Sequence, residues 1–334
     1  MKILVIKPSS LGDIIHSLPF LKTIKDSFRD VGIDWVISKN LAGILEGHPM
    51  INRLIVFDKD SWKKIGDLTG TVKEVRNLIK SLKASEYDIV VDLQGLLRSG
   101  LMTFFARSPL KVGFDNAREG SRFFYNKKVQ AGGLQHAVDR YLEIARNIGA
   151  TVESIAFPLV IGRSANEKVS SLTGGLGEYI VIVPSARWET KRWPAENFGR
   201  LISKLPLPCV ITGNNADRHV VQQVLTASKN KGVDLCGRTG LRELTALIAG
   251  AKAVISNDSG PMHIAAALGI PVIALFGPTD PDKTGPYGWR HNRDLKVLSS
   301  SLHCIPCFRK KCKAPECMSG IKVDAVFEAV KEYL

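Results

Sequence analysis

The chain has 334 residues, long for a single hydrophobic core and suited to two domains of ordinary size. Its hydrophobic content of 45% is that of a globular protein, and no apolar run approaches the ~18 residues of a membrane-spanning helix. With 46 Lys and Arg against 32 Asp and Glu, the formal charge of +14 favours an anionic partner: nucleic acid, acidic lipid headgroups or a polyanionic small substrate.

The opening MKILVIK is apolar and β-branched but leads to no small-residue cleavage site, so no signal peptide and a cytoplasmic location are expected. Strand-like runs then follow at "KILVIK", "DWVIS", "RLIVF", "YDIVVDL" and "KVGF", with helices expected at 14–28, 71–85, 97–106 and 136–148. The weakly patterned "RSANEKVSSLTGGLGEY" reads as a hinge, after which strands restart at "YIVIVP", "PCVIT", "VDLC", "KAVIS" and "PVIALFG". Helices fit between these at 195–205, 218–228, 241–249 and 261–268. Continuous apolar strands separated by single helices indicate buried parallel sheets. Two doubly wound α/β domains follow, spanning 1–165 and 175–320, with a final helix in 321–334 expected to pack back across the first.

In such sheets the loops after the strands carry the chemistry. The first, "KPSSLGDIIHSLP", has one glycine where a dinucleotide fingerprint needs three, and the acid Asp13 follows Gly12 directly. Asp13 reads either as a helix N-cap or as a reacting carboxylate in a turn shaped by Ser9, Ser10 and Gly12. "DLQGLLRSG" brings Gln94 and Arg98 to the rim, "GFDNAREGSR" brings Arg118 and Arg122, and "LQHAVDRY" adds His136 and Arg140, a set suited to an acidic substrate. Each of these cations alone is more often a surface charge.

In the second half, "VPSARWETKRWP" carries Ser185, Arg187 and Lys191, and "TGNNADR" carries Asp217. Lys191 reads as a solvated charge or as a cation neutralising a departing diphosphate. "NDSGPMHIAAALGIPVIALFGPTDP" is the most informative stretch: Asp258, Ser259 and Gly260 precede Pro261 at a helix start, with His263 one turn in and Thr279 and Asp280 on the same rim. Exposed amides at such a start suit a diphosphate, against the plainer reading that Asp258 or Ser259 caps the helix. The Asp-x-Asp strings at 58–60 and 280–282 read as turn formers. Cys304, Cys307, Cys312 and Cys317 crowd into "CIPCFRKKCKAPEC", where reduced structural cysteines are preferred over a zinc site. No G-x-x-x-x-G-K-[ST] loop occurs, which excludes a P-loop NTPase, and no helix-turn-helix or RNA-binding signature supports nucleic acid as the partner.

Taken together, "KPSSLGDIIHSLP", "DLQGLLRSG", "HAVDRY", "KRWP", "NDSGPMHIAAALGIPVIALFGPTDP" and the late cysteine run resemble the ADP-heptose:lipopolysaccharide heptosyltransferases, glycosyltransferase family 9, in order along nearly the whole chain. The resemblance implies a GT-B fold, two Rossmann-like domains facing a cleft, with acceptor on the first and donor on the second. It implies inverting, metal-independent transfer of heptose from ADP-heptose to Kdo or heptose on lipid A, without a cofactor, at the anionic cytoplasmic face of the inner membrane. On that resemblance Asp13 is the general base, Lys191 falls on the family's lysine before Trp-Pro, and Asp258, Ser259, Gly260 and His263 form the donor loop. The run "PSARWETKRWP" and the cysteine tail look closer to the enzymes adding the second heptose. A family member acting on another core sugar, or a non-catalytic protein binding nucleotide sugars or anionic lipid, is the alternative. A Rossmann oxidoreductase is disfavoured by the missing glycines.

Overall fold

A computed structural model describes residues 1–58, 68–130, 132 and 136–334, and the chain divides into two compact units, Met1–Val160 and Ile161–Leu334.

The first unit contains β1 (Lys2–Ile6), α1 (Leu11–His16), α2 (Leu18–Ser27), β2 (Gly32–Ser38), β3 (Arg53–Phe57), α3 (Leu68–Lys83), β4 (Ile89–Asp92), α4 (Leu97–Phe105), β5 (Leu110–Phe114), β6 (Lys127–Val129) and α5 (Ala137–Asn147). Its six strands are all parallel in the order β3-β2-β1-β4-β5-β6. Ile3 to Ile6 of the central strand are fully buried, as a strand covered on both faces requires. The single helix expected over 14–28 is two: Pro19 sits in the first turn of α2, where its missing N–H costs nothing, and Ser17 ends α1 and caps α2.

The second unit contains α6 (Arg163–Thr173), β7 (Ile180–Val183), α7 (Ala195–Lys204), β8 (Cys209–Ile211), α8 (Arg218–Ala227), β9 (Val233–Asp234), α9 (Leu241–Ala249), β10 (Ala253–Asn257), α10 (Gly260–Ala267), β11 (Val272–Phe276), α11 (Pro281–Thr284), β12 (Leu295–Ser299), α12 (Glu316–Ser319) and α13 (Val323–Lys331). Its parallel sheet runs β12-β11-β10-β7-β8-β9. Read from its first strand outward, this is the order of the first unit repeated. In each sheet the winding reverses beside the first strand, at β1/β4 and at β7/β10, and the crevice beyond such a reversal is where open α/β sheets bind ligands.

Three expectations change. The stretch read as a hinge begins with a helix, α6, because Ala165, Val169 and Thr173 recur every four residues and are buried, and Gly174 ends it in the left-handed region at φ 61°. The edge strands β6 and β12 were not foreseen. The last helix, α13, packs on α7 and β11 of its own unit, burying Val326 and Val330, where the sequence reading sent it to the first unit.

Candidate active site

At the first reversal point, β1 delivers its chain into α1 through Lys7–Ser10. Ser10 is the N-cap and Asp13 the third helical residue; the amide and hydroxyl of Ser10 both donate to Asp13 Oδ2, at 2.9 and 2.7 Å. Asp13 therefore is not the N-cap itself but closes a capping box. Gly12 lies inside the helix, buried, rather than in the turn. The Asp13 side chain is still 39% exposed, and its Oδ1 stands 3.9 Å from the Lys7 ammonium.

Lys7 is 2% exposed, a buried cation that composition alone would assign to the surface. It donates to the Leu93 carbonyl and lies over the Tyr141 ring. Burial pushes its pKa down, but the Asp13 carboxylate, the Tyr141 hydroxyl and Asp92 outweigh that, and it sits above the ordinary lysine value. Asp92, wholly buried at the end of β4, accepts from the Gln94 and Gly95 amides at 2.8 and 3.0 Å and from the Tyr125 hydroxyl at 2.6 Å. Burial lifts its carboxyl above the usual range despite these donors. Gln94, held by that turn, accepts from the Ser9 amide at 3.2 Å, joining the loops after β1 and β4. Tyr125 reaches Asp92 only because Gly113 has no side chain: a Cβ there would stand 2.3 Å from the ring.

His136 caps α5 through Nδ1 and meets buried His16 edge-on, with ring centroids 4.5 Å apart. Arg140 lies over the Phe114 ring and donates to Asn116 at 3.3 Å; its Nε is buried and without a hydrogen-bond partner among the described residues. Arg98, Arg118 and Arg122 are exposed, and the Arg118 amide donates to the Gly95 carbonyl at 2.9 Å, bringing that loop to the Asp92 turn.

The second reversal point is built around Lys191, on a short 3-10 turn after β7. Its ammonium is 2.6 Å from Asp258 Oδ2, which also accepts from Thr279 Oγ1 at 2.6 Å, and it lies 4.5 Å from the Trp188 ring centroid. Lys191 is thus a fixed cation, not a solvated one. Asp258 serves as its anchor. The side chain of Asn257 accepts from the Trp193 amide and donates to the Pro184 carbonyl, stitching the loops after β7 and β10. Ser259 caps α10 through its backbone only, its hydroxyl meeting Ser256 Oγ at 3.1 Å, so among the described residues no side-chain cap occupies the amides at the helix start by Gly260. His263 is buried one turn in. Ser185 Oγ is buried with no hydrogen-bond partner among the described residues, and Arg187 beside it is exposed. An uncapped helix start beside a fixed cation is suited to an anion.

Asp217 and Asp280 are engaged locally, accepting from the Asn214 and Asp282 amides at 2.9 and 3.0 Å. The string at 280–282, read as a turn former, instead starts α11, with Asp280 as its N-cap and Asp282 in its first turn; Asp60 of the other string lies outside the described residues. Cys304, Cys307, Cys312 and Cys317 are free thiols lining one cavity of about 290 Å³, and among the described residues no three His, Cys, Asp or Glu side chains are grouped to hold a metal ion.

A family model described as glycosyltransferase family 9 (heptosyltransferase) matches residues 75–318. Lipopolysaccharide heptosyltransferase 1 of Pseudomonas aeruginosa is 33% identical over 326 residues, covering 93% of this chain and 87% of that one. Lipopolysaccharide heptosyltransferase 2 of Escherichia coli is 29% identical over 322 residues, covering 91% and 90%. Relatives of both types therefore match to a similar degree. The structure of E. coli heptosyltransferase WaaC with ADP superposes over the whole of both chains with a TM-score of 0.79 at 27% identity.

Proposed function

The chain belongs to glycosyltransferase family 9 and has the GT-B fold, and from that premise we propose that it transfers heptose from ADP-heptose to the inner core of lipopolysaccharide, Kdo or heptose on lipid A, with inversion. The observation that carries this reading is Lys191, fixed 2.6 Å from Asp258 at the uncapped start of α10.

The first unit, taken as the acceptor domain, supplies the base. A sugar hydroxyl is a poor nucleophile; as its oxygen forms the bond to the anomeric carbon, its proton passes to the Asp13 carboxylate. The bond between that carbon and the β-phosphate oxygen breaks in the same step, and ADP leaves with the electron pair. One displacement from the face opposite the leaving group inverts the centre. The second unit, taken as the donor domain, receives the charge: an ammonium has three donors, and with one on Asp258 Lys191 retains others for the diphosphate, next to the α10 amides. Arg118 and Arg140 suit an acceptor bearing phosphates and carboxylates.

The test is incubation with ADP-heptose and heptose-deficient lipopolysaccharide, reading the acceptor's mass. Gain of one heptosyl unit is expected. ADP binding without any mass gain would replace this reading with that of a non-catalytic binding protein, and gain only on acceptors already carrying heptose would assign the second addition rather than the first.

A further inference from the structure

Helix α4 has an outer face that a water-exposed helix does not normally have. Ser99, Gly100, Met102 and Thr103 face the unit's interior, while Leu97, Leu101 and Phe104, spaced i, i+4, i+7, are 45, 41 and 58% exposed. The 3-10 turn Ser121–Phe124 extends the stripe: Phe124 meets Phe104 with ring centroids 5.9 Å apart, and Phe123 is 73% exposed. Scattered surface apolar residues need no explanation, but three large ones along one helix face, with the exposed Phe123 on the turn packed against that helix, do.

The face is edged with cations. The Arg122 guanidinium lies 5.1 Å from the Phe123 ring centroid; Lys111 Nζ lies 5.8 Å from that of Phe104 and donates to its carbonyl at 3.0 Å; Arg98 is exposed on the same helix. Glu119 at the margin accepts from the Leu97 amide. We propose that the Leu97–Leu101–Phe104–Phe123 face docks on a bilayer carrying anionic headgroups, the apolar side chains entering the interface and the rim of Arg and Lys meeting phosphates. The chemistry is that of an interfacial helix, apolar burial added to attraction by surface charge, and the net charge of +14 acts in the same direction. A second copy of the chain is the poorer occupant, since a two-fold contact over this face would set Arg98, Arg122 and Lys111 against their own equivalents.

The proposal rests on the preceding one only in giving the enzyme a lipid-anchored acceptor. It is tested with the full chain by co-sedimentation with vesicles of phosphatidylethanolamine and phosphatidylglycerol, against vesicles of phosphatidylcholine. The wild type is expected to bind the anionic vesicles more strongly, less so at high salt. The double variant Leu101→Ser/Phe123→Ser is expected to lose about tenfold or more in partitioning, with an unchanged unfolding temperature, and Phe123→Trp to retain binding. Transfer to a vesicle-embedded acceptor should fall with partitioning, while transfer to a deacylated, water-soluble acceptor is unchanged. Equal partitioning of wild type and double variant overturns the docking face, as does a concentration-dependent dimer that the double variant abolishes without any change in vesicle binding. If neither acceptor is glycosylated by the wild type while partitioning responds as expected, the heptosyltransferase reading fails and the docking face stands.

Discussion

The two reversal points share one topology and invert its charge. In the first unit a half-exposed carboxylate, Asp13, is backed by a buried ammonium, Lys7; in the second an ammonium, Lys191, is backed by a buried carboxylate, Asp258. Each sets the opposite sign behind the more exposed charge, which holds that charge at a sheet terminus without an uncompensated buried ion. A shared strand order therefore fixes where these loops gather and nothing about the sign of the charge they carry, which four side chains decide.

The sharpest way to break this comparison is to neutralise the outward member on each side. Asp13→Asn should cut turnover by about 10³-fold while leaving ADP affinity, read by calorimetry, unchanged; a parallel loss of ADP affinity would end the division of labour between the units. Lys191→Met should cost about 10²-fold in kcat/KM and also weaken ADP binding, whereas unchanged ADP affinity would remove Lys191 from the leaving-group site. Gly113→Ala tests what holds the first point in shape: with its new Cβ 2.3 Å from the Tyr125 ring, it should destabilise the protein by about 1–3 kcal/mol in thermal or denaturant unfolding and slow turnover without touching ADP binding. The smallest effect concerns pH. Burial holds His48 in the first unit below its ordinary value of 6.5, against the pull of its bond to the Pro158 carbonyl. The unfolded imidazole takes up its proton at higher pH than the folded one, so stability falls as pH drops through 6.5 toward the folded value. His48→Gln should flatten that part of the stability–pH curve, and an unchanged slope would assign it to other groups.

Ten of the twelve strands among the described residues were legible, most of them because buried strands are written as continuous apolar runs, "ILVI" or "VIALF"; the edge strands β3 and β9, only partly buried, were read from the shorter runs "RLIVF" and "VDLC". β6 and β12 are edge strands with mixed faces, and α6 shows only a small-residue stripe, so neither stands out from loop. The site divides the same way. Asp13 and Lys191 stand in turn-rich stretches after strands, where reactive groups are sought, and the box from Ser10 to Asp13 has the three-residue spacing of a recognisable signature. Lys7 and Asp92 were not legible. A lysine or aspartate in a sequence signals surface, and what buries these two, Tyr141, Tyr125 and each other's loops, lies tens of residues away along the chain. Asn257 was visible as part of a motif, but its work of joining two loops depends on Trp193 and Pro184 and shows only in three dimensions.

The gap at Gly113 has an evolutionary corollary. Because the Tyr125 ring fills the volume a side chain would need, and its hydroxyl reaches Asp92 only through that volume, positions 113 and 125 are not free to drift one at a time. A lineage that acquires any larger residue at 113 must first shrink 125, and in doing so gives up a donor to the carboxylate that orders the Gln94 turn. The two positions should change as a linked pair or not at all, so that a single absent methyl group constrains the history of a loop some twenty residues before it.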